Sequence, residues 1–291
     1  MNIQKTNYQG WQTYSFTTGH LDVTVLPDLG GRIISLRFHG QELLFTQAQH
    51  VGETFDLPAV SDLNAYKTAL GFRLWGGDKT WVSPQAAWAL GIPPLDLDAG
   101  RYQYEPLDNG VRMTSSVCRE TGLQIERTII VTAADSITLT ETLWNHNNEA
   151  VRHGIWDVTQ VLKPARVSFS STPDKIKAFA EEGESVAVKS HYVTTGDLGV
   201  VISCGDPVKF KYGGIPTQGR VVTRFLGERQ GVIFERNYGA VAPAEYAHGC
   251  AVEVYNSPDY PYFEVEIHAP FTAIPAGGKV SHTQVWSFYR A

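Results

Sequence analysis

Ser136-Ile137-Thr138-Leu139-Thr140-Glu141-Thr142-Leu143 places Ile137, Leu139 and Leu143 on one side of an extended chain and Thr138, Thr140 and Thr142 on the other. Alternation with period two is the signature of a strand that buries one face. The stretch before it, Leu123–Val131, is rich in β-branched residues, and the short Ala133-Ala134-Asp135 link reads as a hairpin turn. Outward from this pair, similar segments follow at Leu21–Leu26, Gly31–Phe38, Arg112–Cys118, Arg152–Val161, Gly199–Ser203, Val221–Phe225, Gly231–Glu235, Ala251–Tyr255, Tyr262–His268 and Val280–Tyr289. Gly, Pro, Asn and Asp punctuate them. No segment holds an apolar period of 3.6 beyond two turns; Pro173–Glu184, with Ala178 and Ala180, is the one short helix expected. Many short strands with frequent turns predict an all-β, large antiparallel β-sandwich rather than βαβ units. No linker or repeat divides the chain, so residues 1–291 read as a single domain.

Composition narrows the function. The net charge of −6 and the absence of any Lys/Arg run leave nothing to neutralise a phosphate backbone, so no nucleic acid is expected as a partner. No stretch approaches the ~20 apolar residues of a membrane span, and Met1 to Gly10 is polar with no signal-peptide core. No membrane and a cytoplasmic location are expected. Three cysteines, Cys118, Cys204 and Cys250, suit neither a disulfide framework nor a metal-ligand spacing, and no metal or other cofactor is expected. There is no dinucleotide fingerprint, P-loop, zincin motif or nucleophile elbow.

Three stretches carry candidate chemistry. In Arg73-Leu74-Trp75-Gly76-Gly77-Asp78-Lys79-Thr80-Trp81, two tryptophans bracket a Gly-Gly turn. Glycines let a backbone approach a ligand, aromatic faces pack on the C–H face of a sugar ring, and Arg73, Asp78 and Lys79 can bind its hydroxyls. The plainer reading is a hairpin turn whose tryptophans plug the core. In Phe263-Glu264-Val265-Glu266-Ile267-His268, alternation sends Glu264, Glu266 and His268 to one face, about 7 Å apart in succession. Such a row tunes acids and bases, unless it is simply a solvated outer face. In His153-Gly154-Ile155-Trp156-Asp157-Val158-Thr159-Gln160, Trp156, Val158 and Gln160 share one face while His153, Ile155 and Asp157 share the other, so neither face is simply water or core. The remaining histidines stand singly and read as structural, His248 in Tyr246-Ala247-His248-Gly249-Cys250 less firmly so.

Taken together, the chain resembles the galactose mutarotase-like superfamily, whose best-known members are aldose 1-epimerases. Leu26-Pro27-Asp28-Leu29-Gly30-Gly31-Arg32-Ile33-Ile34-Ser35-Leu36 with Gly40-Gln41-Glu42-Leu43-Leu44 looks like the family's opening hairpin, and the Asn145 to Thr159 region like its central strand pair. Glu264-Val265-Glu266-Ile267-His268-Ala269-Pro270, then Ile274-Pro275-Ala276-Gly277-Gly278 and Val285-Trp286-Ser287-Phe288, look like its closing strands. The pattern is similar to a branch with a G-G-x-x-x-W-x-x-P loop, here Gly76 to Pro84. The motifs span the chain, each short and degenerate. The resemblance implies a supersandwich with a sugar-sized cleft, a small-molecule carbohydrate as partner, and an isomerase in which a late carboxylate, matching Glu266 with Glu264 second, is the base.

The family's histidines do not carry over. Its L-H-G-G is matched by Leu74-Trp75-Gly76-Gly77, and the position of its acid histidine falls nearest Trp156. An indole N–H donates a hydrogen bond but no proton. His268, His153 or Lys79 would replace the acid; Trp75, Trp81 and Trp156 would stack on the sugar. Arg73, Asp78, Lys79 and Lys211 would bind hydroxyls or an anionic group, so that a free, phosphorylated or acidic sugar is compatible. The alternatives are a carbohydrate-binding protein without catalysis and a polysaccharide lyase.

Overall fold

The computed structural model describes residues 2–179, 186–239 and 244–291. Two antiparallel sheets face each other. The first runs, in hydrogen-bonded order, through Gln4–Tyr8, Trp11–Thr18, Leu21–Leu26, Arg32–Phe38, Asp78–Ser83, Val151–Leu162, Tyr262–His268, Val252–Asn256, Phe210–Gly214 and Lys177–Ala178. The second runs through Val193–Gly196, Gly199–Cys204, Ala165–Phe169, Gly219–Phe225, Val232–Gly239, Lys279–Arg290, Ser136–Asn145, Leu123–Ala133, Gly110–Thr114 and Gln103–Leu107. The hairpin that decided the fold class is present: Leu139 pairs with Ile129 across a turn at Asp135, whose φ is 57°. Ile137, Leu139 and Leu143 are buried together with Ile125 and Ile129, the inward set of an alternating pair.

Every strand expected from the sequence is found, with ends shifted by a few residues where turns intervene. The expected helix at Pro173–Glu184 is not. Pro173–Lys175 is a single 3-10 turn and Lys177–Ala178 pairs with Phe210–Gly214, while residues 180–184 lie outside the described residues. Lys177 opposite Gly213 adds an edge pairing whose backbone bonds outweigh the weak helix preference of a Pro-initiated segment. A two-turn helix, Leu63–Leu70, sits in the long connection before the first tryptophan motif. No helix among the described residues is long and apolar enough to cross a membrane.

The large core lies between the sheets, from Val23, Ile33 and Leu36 through Val161, Val265 and Ile267 to Trp286 and Phe288. At its centre it is charged. Asp78 and Asp157 point inward from the first sheet to meet Arg127 and Arg236 from the second. Arg127 is bonded to Asp78, Arg236 donates to Thr159 Oγ1 at 2.8 Å, and Gln284 donates to Asp157 at 2.6 Å. Buried charges survive only when paired and hydrogen-bonded, and these are.

Candidate functional site

The outer face of the first sheet carries the candidate site. Asp78–Ser83, Val151–Leu162, Tyr262–His268, Val252–Asn256 and Phe210–Gly214 lie side by side there. Their registers align Lys79 with Val158 and Glu266, Trp81 with Trp156 and His268, and Glu266 with Glu253. Gln160, Glu264, Tyr255 and Lys211 form the neighbouring row. A cavity of about 390 Å³ opens over these rows, with Glu264, Glu266, Lys211 and Trp156 on its floor and Trp81, Tyr255 and Tyr262 among its walls. That size is at the small end for ligand pockets and suits a single small molecule.

Glu266 is fully buried at the cavity floor. Its Oε2 accepts from Trp156 Nε1 at 2.8 Å and from Lys211 Nζ at 3.0 Å, while Oε1 has no hydrogen-bond partner among the described residues. Burial pushes its pKa up to about 8; Lys211 opposes the rise and Glu253 and Glu264 add to it. Burial alone would lower Lys211, but the carboxylates of Glu266 and Glu253, the latter at 2.7 Å, hold it raised and charged. Glu264 accepts from Gln160 at 2.9 Å and faces Lys79 at 3.5 Å. Burial lowers the Lys79 pKa, and its ammonium lies 4.6 Å from the centre of the Trp81 ring.

Behind Trp156 stands a second constellation. Glu253 Oε1 is 3.2 Å from His248 Nδ1 and 3.4 Å from His268 Nε2. His268 stacks on Trp156 with ring centres 5.1 Å apart, and His248 meets the same indole edge-on at 4.8 Å. Burial would raise the Glu253 carboxyl, but His268 and Lys211 hold it well below its ordinary value. Burial lowers His268, against the pull of Glu253.

The residues singled out in the sequence therefore divide. Glu264, Glu266, Trp81, Trp156 and Lys211 meet at one cavity, with Lys79 packed beneath Trp81. Trp75 does not join them. Gly76 and Gly77, at φ of 103° and 74°, swing the chain so that Trp75 packs with Trp11, Leu26 and Leu63 and donates to Glu53 at 3.3 Å. A Cβ on Gly76 would come within 2.2 Å of the Phe45 carbonyl oxygen, so the Gly-Gly pair serves chain packing rather than approach to a ligand. Asp78 faces the inter-sheet core because the turn ends at Gly77 and Asp78–Ser83 is a strand, whose alternation opposes Asp78 to Lys79. Arg73 is bonded to the Leu70 carbonyl and to His50, off the cavity wall. His153 sits 3.1 Å from the Ser83 carbonyl oxygen, its pKa lowered by burial, at the far end of its strand. His268 shares the face of Glu266, but Trp156 covers it from the cavity.

Glu253, Tyr255, Tyr262, Gln85, Lys209 and Phe72 were not singled out in the sequence. For Glu253 the signal was available: Val252-Glu253-Val254-Tyr255 repeats the alternation of Glu264 to Ile267, with a carboxylate between two apolar residues. Phe72 comes from a loop and Gln85 opens the short 3-10 turn Gln85–Ala87, and neither carries a periodic signal.

No family model and no curated protein matches the sequence. Solved structures do match. A galactose mutarotase-like protein from Clostridium acetobutylicum superposes with a TM-score of 0.60 at 11% identity, over 100% of this chain and 99% of that one. The aldose epimerase homologue from C. elegans gives 0.52 at 10% identity, over 100% and 99%. A TPR-domain containing protein from Parabacteroides distasonis gives 0.61 at 14% identity over 96% of this chain, which spans only 47% of that longer protein. At these identities the likeness speaks to architecture: the chain has the two-sheet antiparallel sandwich fold of galactose mutarotase-like structures.

Proposed function

We propose that the cavity binds a small sugar and that the protein interconverts its anomers, with Glu266 exchanging the anomeric proton. One observation carries this reading: a buried carboxylate at the cavity floor has one oxygen held by Trp156 and Lys211 and the other without a partner among the described residues. With its pKa near 8, Glu266 can both take and return a proton near neutrality. Its ionised form removes the proton of the anomeric hydroxyl as the bond between the anomeric carbon and the ring oxygen breaks. The Lys211 ammonium, kept charged by its two carboxylates, faces the negative charge that develops on the ring oxygen and supplies its proton. Rotation of the open-chain aldehyde and the reverse steps give the other anomer, and Lys211 recovers its proton on closure.

Freshly dissolved glucose, galactose and glucose 6-phosphate test the reading by polarimetry. Relaxation of optical rotation faster than buffer alone for at least one sugar is expected; none faster removes mutarotation. A second reading, sugar binding without turnover, is favoured by the absence of any imidazole among the described residues that line the cavity. Calorimetric titration with the same sugars separates the two, since heat of binding without accelerated relaxation supports the second.

A further inference from the structure

We propose that His248, Glu253 and His268 form a binding site for one divalent transition-metal ion of the zinc class. The proposal is independent of the sugar reading. The three ligand atoms lie within 4.8 Å of one another, and the two carboxylate-to-imidazole distances are 3.2 and 3.4 Å. Ligands about 2.1 Å from a tetrahedral ion stand roughly 3.4 Å apart, so two of the three edges already have that length. Imidazole nitrogen with one carboxylate oxygen is a donor set suited to zinc, and three protein ligands leave one coordination position open.

A second observation points to the same place. His268 is fully buried, and among the described residues neither ring nitrogen makes a hydrogen bond of good geometry, Nε2 only approaching Glu253 Oε1 at 3.4 Å. Coordination through Nε2 would satisfy one of them. The carboxylate is also divided in the manner a monodentate ligand requires: Oε1 faces both imidazoles, while Oε2 is 2.7 Å from Lys211 Nζ. Outer partners of that kind fix the orientation of a ligand. Trp156 stacks on one imidazole and meets the other edge-on, which limits the rotation of both rings. Binding through His248 Nδ1 places the ring proton on Nε2, so the 3.3 Å contact from the Gln85 backbone N–H is given up.

Untagged protein stripped with EDTA and titrated calorimetrically with ZnCl2 is expected to bind one equivalent, and Co2+ is expected to develop the visible bands of a low-coordinate site. His248→Gln and Glu253→Gln should each weaken zinc binding by at least about tenfold, the loss that even an outer partner's removal causes. His248 is half-buried, so its variant decides the matter if Glu253→Gln does not fold. His20 and His39, whose rings stack 4.1 Å apart on the surface, provide the control for adventitious binding. No saturable equivalent, affinity unchanged in His248→Gln, or binding abolished by His39→Gln alone would each overturn the proposal.

Discussion

Asp78 and Lys79 are neighbours in the chain and belong to opposite sides of the same sheet. On the inner side, Asp78 and Asp157 are met by two arginines from the facing sheet and by Thr159 and Gln284. On the outer side, Glu264 and Glu266 are met by two lysines of their own sheet, and Glu266 keeps an oxygen free of partners. Planar guanidinium groups bond several acceptors at once and close a network. Lysine ammoniums are point charges and leave directions open. Both faces are buried, polar and charged, and each keeps an acceptor without a partner among the described residues, Glu141 Oε2 on the inner side and Glu266 Oε1 on the outer. What separates them is the cavity: Glu264 and Glu266 line one, and the inner acids face the opposite sheet.

The contrast can be broken most directly at Glu266. Under the sugar reading, Glu266→Gln should lower the rate of anomer exchange by about 10²–10⁴ while sugar binding persists, the range expected for loss of a general acid–base group. Polarimetry and calorimetric titration on the same preparation check it. Retained rate in the variant would move the chemistry elsewhere in the cavity.

The inner network should respond in stability instead. Arg236→Met leaves Asp157 buried without its cation, and removal of one partner from such a pair costs about 3–5 kcal/mol. Urea unfolding should register that loss, with the activity per folded molecule unchanged. A variant inactive when folded would place the inner acids in the chemistry after all.

Lys211 sharpens the comparison, since it belongs to the outer set and holds the Glu266 pKa down against burial. In Lys211→Met the rate should fall by about 10²–10⁴, because the ring-oxygen proton donor is lost. In the residual rate, the limb of the pH–rate profile that follows ionisation of Glu266 should move to higher pH by about one unit, the lower end of what an adjacent opposite charge produces. A limb that stays in place would dissociate the profile from Glu266.

How much of this was legible in the sequence follows the same division. Leu21–Leu26 and Tyr262–His268 have the ends expected from alternation, because apolar residues recur at every second position between turn signals. Gln4–Tyr8 escaped because Gln-Lys-Thr-Asn-Tyr at a sheet edge carries no apolar period. Asp78–Ser83 escaped because Asp-Lys-Thr-Trp-Val-Ser carries no apolar alternation, its buried polar residues being satisfied by partners distant in sequence. Period two alone put Glu264 and Glu266 on one face of their strand and Trp156 with Gln160 on one face of another; that the two faces coincide depends on the register between the strands. Trp75 could not be separated from Trp81, since the Gly76-Gly77 swing depends on the Phe45 and Ile33 backbones, more than thirty residues away in the chain.

The smallest effect tests whether Glu266 is held neutral in the folded protein. Its folded pKa, about 8, lies above the ordinary value of 4.5, so its contribution to stability is full below 4.5 and is lost as pH rises towards 8. Glu141 on the inner side, pushed to about 7 by burial, acts in the same direction. Glu253 is shifted the other way and loses its contribution only below 4.5, so it is constant across this window. Asp157 and Glu42, also raised by burial, add to the decline, so Glu266→Gln removes one contribution and leaves the others. The stability of the variant relative to the parent should therefore improve as pH rises from 5 to 8, by at most about 1.4 kcal/mol per unit, and level off above. Urea midpoints across that range measure the slope. A flat difference would mean that Lys211 keeps Glu266 ionised throughout, and the outer carboxylate would then be as fully compensated as Asp78 within the core.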